Sequence, residues 1–163
     1  MADYSHVTHE FEPVFDENSR VLILGSIPSV KSREVGFYYG NKQNRFWRLI
    51  ARLTNSEIPE TTEEKTKLLL RNGIALWDVI SECDIIGSGD SSIRNAKPVE
   101  IGRILDCCNI DEIFANGKTA AAYYRRFLEP TCGRKIVALP STSPANAACG
   151  FERLCEEWSV ILG

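Results

Sequence analysis

Arg20-Val-Leu-Ile-Leu-Gly25, followed without a break by Ser26-Ile-Pro-Ser29, is the stretch that decides the fold. Four apolar residues in succession, ending on glycine, read as a strand buried on both faces. Three more short apolar runs follow: Ile74-Ala-Leu-Trp-Asp-Val79, Ile110-Asp-Glu-Ile-Phe-Ala115 and Lys135-Ile-Val-Ala-Leu139. The last is continuous like the first. Helical patterns lie between them. Phe46, Leu49, Ile50 and Leu53 fall at i, i+3, i+4, i+7. Thr61-x-x-Glu64 is a capping box that opens a helix through Leu70, stopping at Asn72-Gly73. Residues 99–107 and 119–127 read as further helices. Strands alternating with helices predict an α/β fold, a three-layer α/β/α sandwich around a central, mostly parallel four-stranded sheet. In such sheets ligands bind at the carboxyl ends of the strands, so the loops after Leu24, Val79, Ala115 and Leu139 are the places to search.

Those loops are unusual. After the first strand comes a long aromatic and basic segment, with Gly36-Phe-Tyr-Tyr39 and Asn44-Arg-Phe-Trp47. After the third comes Asn116-Gly117-Lys118-Thr119, and after the fourth Pro140-Ser-Thr-Ser-Pro-Ala-Asn146. Long loops carrying aromatics and amides at strand ends usually bear function. Charge is uneven too. The chain is -3 overall, but residues 31 to 52 hold Lys31, Arg33, Lys42, Arg45, Arg48 and Arg52 against Glu34 alone. A basic face on an acidic protein suits a polyanionic ligand, although a solvated helix face has the same composition.

The rest of the composition excludes more than it selects. With 163 residues, 44% hydrophobic and 25% charged, the chain reads as one globular domain over 1–163, with residues 1–10 mobile. It has no apolar run long enough to span a membrane and no basic-then-apolar start, so a cytoplasmic, membrane-free protein is expected. The six cysteines form no C-x-x-C pair, and the only histidines are His6 and His9. No metal site and no cofactor is expected, and the thiols should be reduced and mostly packed inside.

Taken together, three motifs resemble the uracil-DNA glycosylase superfamily, and most closely its hypoxanthine (deoxyinosine) branch. Gly25-Ser26-Ile27-Pro28-Ser29, with the downstream aromatics and Asn44-Arg-Phe-Trp47, is similar to the first superfamily motif. Ile113-Phe-Ala-Asn116-Gly117 resembles the strand ending in the base-reading asparagine. Leu139-Pro-Ser-Thr-Ser-Pro-Ala-Asn146 resembles the loop that presses into the minor groove. Ile27 and Leu139 depart from the family, because most members carry polar catalytic side chains at those positions. The hypoxanthine branch is similar in lacking them, and it implies an asparagine downstream: Asn44 here, with Asn41 as the fallback.

The resemblance implies a monomeric DNA repair enzyme that flips a deaminated base into a pocket and hydrolyses its N-glycosidic bond. Gly25, Ser26, Ile27, Tyr39 and Asn116 would surround the base, with Tyr39 as a stacking face. Ser29, Lys31, Arg33, Lys42, Ser141, Ser143, Pro144, Ala145 and Asn146 would hold the DNA. Chemistry agrees with the asparagine. Hypoxanthine offers N1–H beside C6=O, the same donor–acceptor pair that uracil offers as N3–H and C4=O, and one amide can meet either. Asn116 therefore cannot choose between them, and pocket volume must. Asn44 also suits a helix N-cap, and an amide can orient a water against C1′ without acting as a base.

Other readings stay open: a uracil glycosylase with an atypical first motif, or a DNA-binding member that does not cleave. An α/β hydrolase using Ser26 or Ser141 lacks a partner histidine outside the N-terminus.

Overall fold

A computed structural model describes residues 3–163. The strands are β1 (Ser5–Thr8), β2 (Val21–Gly25), β3 (Ile74–Asp78), β4 (Ile80–Ile85), β5 (Arg94–Pro98), β6 (Glu112–Asn116) and β7 (Ile136–Leu139). The helices are α1 (Val30–Val35), α2 (Phe46–Leu53), α3 (Thr62–Arg71), α4 (Gly102–Leu105), α5 (Lys118–Phe127), α6 (Glu129–Cys132) and α7 (Phe151–Trp158). The four apolar runs become β2, β3, β6 and β7, which pair in parallel in the order β3-β2-β6-β7 and are flanked by helices. Leu22, Ile23 and Leu24 of the second strand are fully buried. Each stabilises the fold by about 1.5–3 kcal/mol relative to exposure. The capping box at Thr61 and Glu64 is formed in full.

Register aligns the strand ends. Gly25 lies opposite Asp78, and Asn116 lies opposite Leu139. Only Val79 separates β3 from β4. Its N–H donates to Gly25 O (2.8 Å), and the next, from Ile80, donates to Ser26 O (3.1 Å). The chain thus leaves the parallel sheet beside the first motif and enters a second, antiparallel sheet ordered β1-β4-β5. A small apolar cluster of Val7, Ile80, Cys83 and Ile85 holds this sheet, and Ile27 packs against it.

Two expectations change. Residues 5–9, within the stretch expected to be mobile, are built into the fold. Residues 5–8 pair with β4, and the His9 side chain is only 3% exposed (residues 1 and 2 lie outside the described residues). Val7 supplies the apolar contact that a string of polar residues conceals in the sequence. The helix read over 99–107 shrinks to one turn, with Gly102, costly in a helix interior, at its start. The cysteines pack mostly inside, as expected: Cys83 and Cys149 are buried, Cys108, Cys132 and Cys155 lie partly buried against the core, and Cys107 is exposed. No helix among the described residues is long and apolar enough to cross a membrane.

Candidate active site

A cavity of about 320 Å³ opens where β2, β3 and β6 end, within the range of small-molecule sites. Residues 25–29 form one wall and residues 141–145 another; Tyr39, Asn41, Asn44, Asp78, Asp90 and Asn116 also line it. The parallel sheet therefore gathers all three loop motifs at one place.

Asn116 is clamped. Its Oδ1 accepts from the Thr142 backbone N–H (2.9 Å), and its Nδ2 donates to Thr142 Oγ1 (2.9 Å). The backbone N–H can only donate, so the amide cannot turn round. Each polar atom of the amide keeps one further hydrogen-bond valence, directed away from Thr142. Thr142 is wholly buried, and its hydroxyl in turn donates to Asn44 Oδ1 (2.8 Å). Asn44 Oδ1 also accepts from Phe46 N–H at the start of α2 (2.9 Å). The N-cap position itself is taken by Arg45, with Asn44 anchoring the turn from one residue before it. With its carbonyl oxygen committed to two donors, Asn44, which lines the pocket, has its Nδ2 hydrogens left for a ligand. Asn41 lines the pocket as well, with its Oδ1 holding Gln43 N–H (2.9 Å).

The aromatic triplet divides as three neighbours must. Phe37 and Tyr38 turn into the core, where Tyr38 OH donates to Glu12 O (2.8 Å). Tyr39 turns to the pocket with its backbone in the left-handed region, φ 52°. One face of its ring lies on Phe46, centroids 4.1 Å apart. Its hydroxyl is buried and has no hydrogen-bond partner among the described residues; the Asn116 amide approaches without hydrogen-bond geometry. Burial pushes this hydroxyl well above the usual tyrosine range, so it remains a donor. An unsatisfied buried donor costs about 1–3 kcal/mol, and left-handed backbone at a bulky residue adds strain of similar order.

Two carboxylates in the pocket went unseen in the sequence. Asp78, 4% exposed, accepts from His9 Nε2 at 2.8 Å. Its other oxygen presses on Gly25, where an added Cβ would meet Asp78 Oδ1 at 2.4 Å and Tyr39 OH at 3.0 Å. Gly25 is thus needed for close approach. Asp90 receives a hydrogen bond from Ser26 Oγ (3.2 Å). The residue is accessible from outside, yet its carboxyl sits in the concavity. Desolvation there pushes it above the usual carboxylate range, while Ser26 and Thr119 pull it back. No lysine or arginine lines the cavity among the described residues.

The residues expected to hold DNA are more occupied than their types suggested. Ser29 caps α1 by accepting from Ser32 N–H (3.2 Å). Arg33 donates to the carbonyls of Pro28 (3.0 Å) and Gly87 (3.3 Å). Lys31 pairs with Glu34 at the surface (3.4 Å). Lys42 is exposed and makes no ion pair among the described residues. Ser141 and Ser143 each accept a backbone N–H two residues on, and Asn146 Nδ2 donates to Ser141 O (3.1 Å). Pro144 and Ala145 project at the tip of that loop. Arg45, counted as part of a basic face, points inward instead. Its guanidinium donates to the carbonyls of Thr142, Ser143, Asn146 and Cys149. Ile27 and Leu139, apolar where polar groups are usual, pack into the two hydrophobic clusters.

Comparison with known proteins agrees with this arrangement. Residues 12–158 match the family model of the uracil DNA glycosylase superfamily. A Methanosarcina acetivorans protein named hypoxanthine DNA glycosylase is 35% identical over 156 residues, 93% of this chain and 95% of that one. A Methanosarcina barkeri protein of the same name is 33% identical over 141 residues, 83% of this chain and 86% of that one. A solution NMR structure of a Methanosarcina acetivorans protein, described as a candidate uracil DNA glycosylase, superposes with a TM-score of 0.81 at 34% identity. It covers 95% of this chain and 96% of its own.

Proposed function

The chain belongs to the uracil DNA glycosylase superfamily, and from that premise we propose that it removes deaminated bases from DNA, hypoxanthine first, leaving an abasic site. The observation that carries this reading is the clamped amide of Asn116. A flipped lactam base needs one donor for its C=O and one acceptor for the adjacent N–H, and an amide held in a fixed orientation supplies both. Adenine presents the reverse pattern, and the clamp prevents the amide from turning to meet it. Hypoxanthine is also the base in the names of the two Methanosarcina sequence relatives, while the solved Methanosarcina acetivorans structure is described by uracil.

In this reading Asn44 holds the attacking water through Nδ2, donating to the water oxygen and aiming it at C1′. It does not take the proton, because an amide is no base and its Oδ1 is already filled. Bond cleavage runs ahead of attack, and positive charge builds on the sugar. Asp78 and Asp90 give the pocket a negative field that favours this charge. Gly25, Ser26 and Ile27 shape the wall. The loop at 141–146 enters the space vacated by the base, with Ser141, Ser143 and Lys42 at the backbone.

Labelled duplexes carrying hypoxanthine, xanthine or uracil, incubated with protein and then treated with alkali, test the proposal. Strand cleavage should be fastest at hypoxanthine and should survive EDTA. Asn116→Ala should lose most excision while binding duplex nearly normally. Cleavage only at uracil, or binding without cleavage, would overturn the assignment.

A further inference from the structure

Asn116 reads a feature that uracil and hypoxanthine share, so something else in the pocket must separate purine from pyrimidine. The unpartnered hydroxyl of Tyr39 is the group free to do it. It is buried, it belongs to a residue that lines the cavity, and it lies beside the Asn116 amide. A left-handed backbone holds it there, and Phe46 covers one ring face, so the hydroxyl is the polar end the residue can present. Asp78, which crowds the same space over Gly25, is held by His9 and makes no hydrogen bond to the hydroxyl.

We propose that Tyr39 is a specificity-determining residue whose hydroxyl donates a hydrogen bond to N7 of a flipped purine. The inference rests on the glycosylase reading above and refines it. Along the edge of hypoxanthine the order is N1–H, O6, N7. With N1–H and O6 on the Asn116 amide, N7 falls on the far side of O6, the place assigned to the Tyr39 hydroxyl. Uracil carries C5–H where N7 would be, and it leaves the hydroxyl without a partner in a place water has left. As the glycosidic bond breaks, the electron pair enters the imidazole ring and N7 becomes a better acceptor. The hydrogen bond therefore strengthens toward the transition state. No proton changes hands, because burial keeps the phenol protonated.

Tyr39→Phe is a clean probe, since it removes a donor that binds nothing in the free protein. Its melting temperature should not fall. Single-turnover excision by wild type and variant would be compared on duplexes containing hypoxanthine, 7-deazahypoxanthine and uracil. Replacing N7 by C–H slows glycosidic cleavage by itself, so the measured quantity is how that penalty differs between the two proteins. Wild type should show a penalty about tenfold larger than Tyr39→Phe, and the variant should shift about tenfold toward uracil relative to hypoxanthine. Equal penalties in both proteins would overturn the proposal. Wild-type protein that excises none of the three bases would instead overturn the glycosylase reading. Equilibrium binding to the same duplexes would then decide the hydroxyl's role, with the same tenfold interaction expected and its absence contradicting the assignment.

Discussion

Asn116 and Asn44 are tied together through a single hydroxyl: Thr142 Oγ1 accepts from Asn116 Nδ2 at 2.9 Å and donates to Asn44 Oδ1 at 2.8 Å. The proposed base reader and the proposed water holder are thus set by one side chain, whose polarity is fixed at both ends by backbone N–H groups.

Thr142→Val keeps the shape and removes the link. Asn116 loses an acceptor and Asn44 a donor, for a stability cost of about 1–3 kcal/mol. Excision should fall more than tenfold at a temperature where the variant is fully folded, and Thr142→Ser should restore most of it. A Val variant with the wild-type single-turnover rate would show that the two amides act independently.

Asn44→Ala should separate a structural role from a chemical one. Loss of the acceptor for Phe46 N–H should destabilise the start of α2 by about 1 kcal/mol. The rate well below the melting temperature should drop more than tenfold. Destabilisation with an unchanged rate would leave Asn44 a helix anchor and move the water to Asn41.

Arg45→Ala should behave as a core substitution. Its guanidinium serves four carbonyls of the loop between β7 and α7. Hydrogen bonds involving a charged group are worth about 1.5–3 kcal/mol, so thermal unfolding of the free protein should shift down markedly. Were Arg45 to bind a phosphate instead, the free protein would melt normally and only DNA binding would suffer.

Lys31→Glu combined with Lys42→Glu should weaken binding to any duplex. It should also flatten the dependence of log K on log salt, by about 0.9 for each DNA phosphate left without a cation. Preference for hypoxanthine should persist. Arg33 is left intact because it braces the carbonyls of Pro28 and Gly87. A salt slope unchanged by the double reversal would place the DNA-binding face elsewhere.

The parallel sheet was legible because doubly buried strands advertise themselves as unbroken apolar runs, as residues 21–24 do. The second sheet was not, since Arg94–Pro98 has no apolar face and Ser5–Thr8 only one buried residue. Their pairing is decided by β4 between them, which no local pattern reveals. At the site, the loop amides stood out, and resemblance supplied their roles. Asp78 was hidden inside a run that reads as core. Thr142 was one of several small hydroxyls. Arg45 looked like surface charge because composition carries no direction. Each became distinct only once the chain had brought distant carbonyls and amides around it.

The antiparallel sheet also bears on how the chain matures. His6 meets Asp84 across 78 residues of sequence, so β1 has no partner until β4 has been made. At a synthesis rate of about 5–20 residues per second, that interval is on the order of 4–15 s. An unpaired strand is an invitation to pair with a neighbouring chain. Only Val7 of Ser5–Thr8 is buried in the finished sheet, and a tetrapeptide so short and so polar has little to offer a stranger. The same polar sequence that hides β1 makes it safe while the ribosome is still at work, and the His9–Asp78 contact at the back of the pocket likewise waits for both partners, 69 residues apart in sequence, to be made.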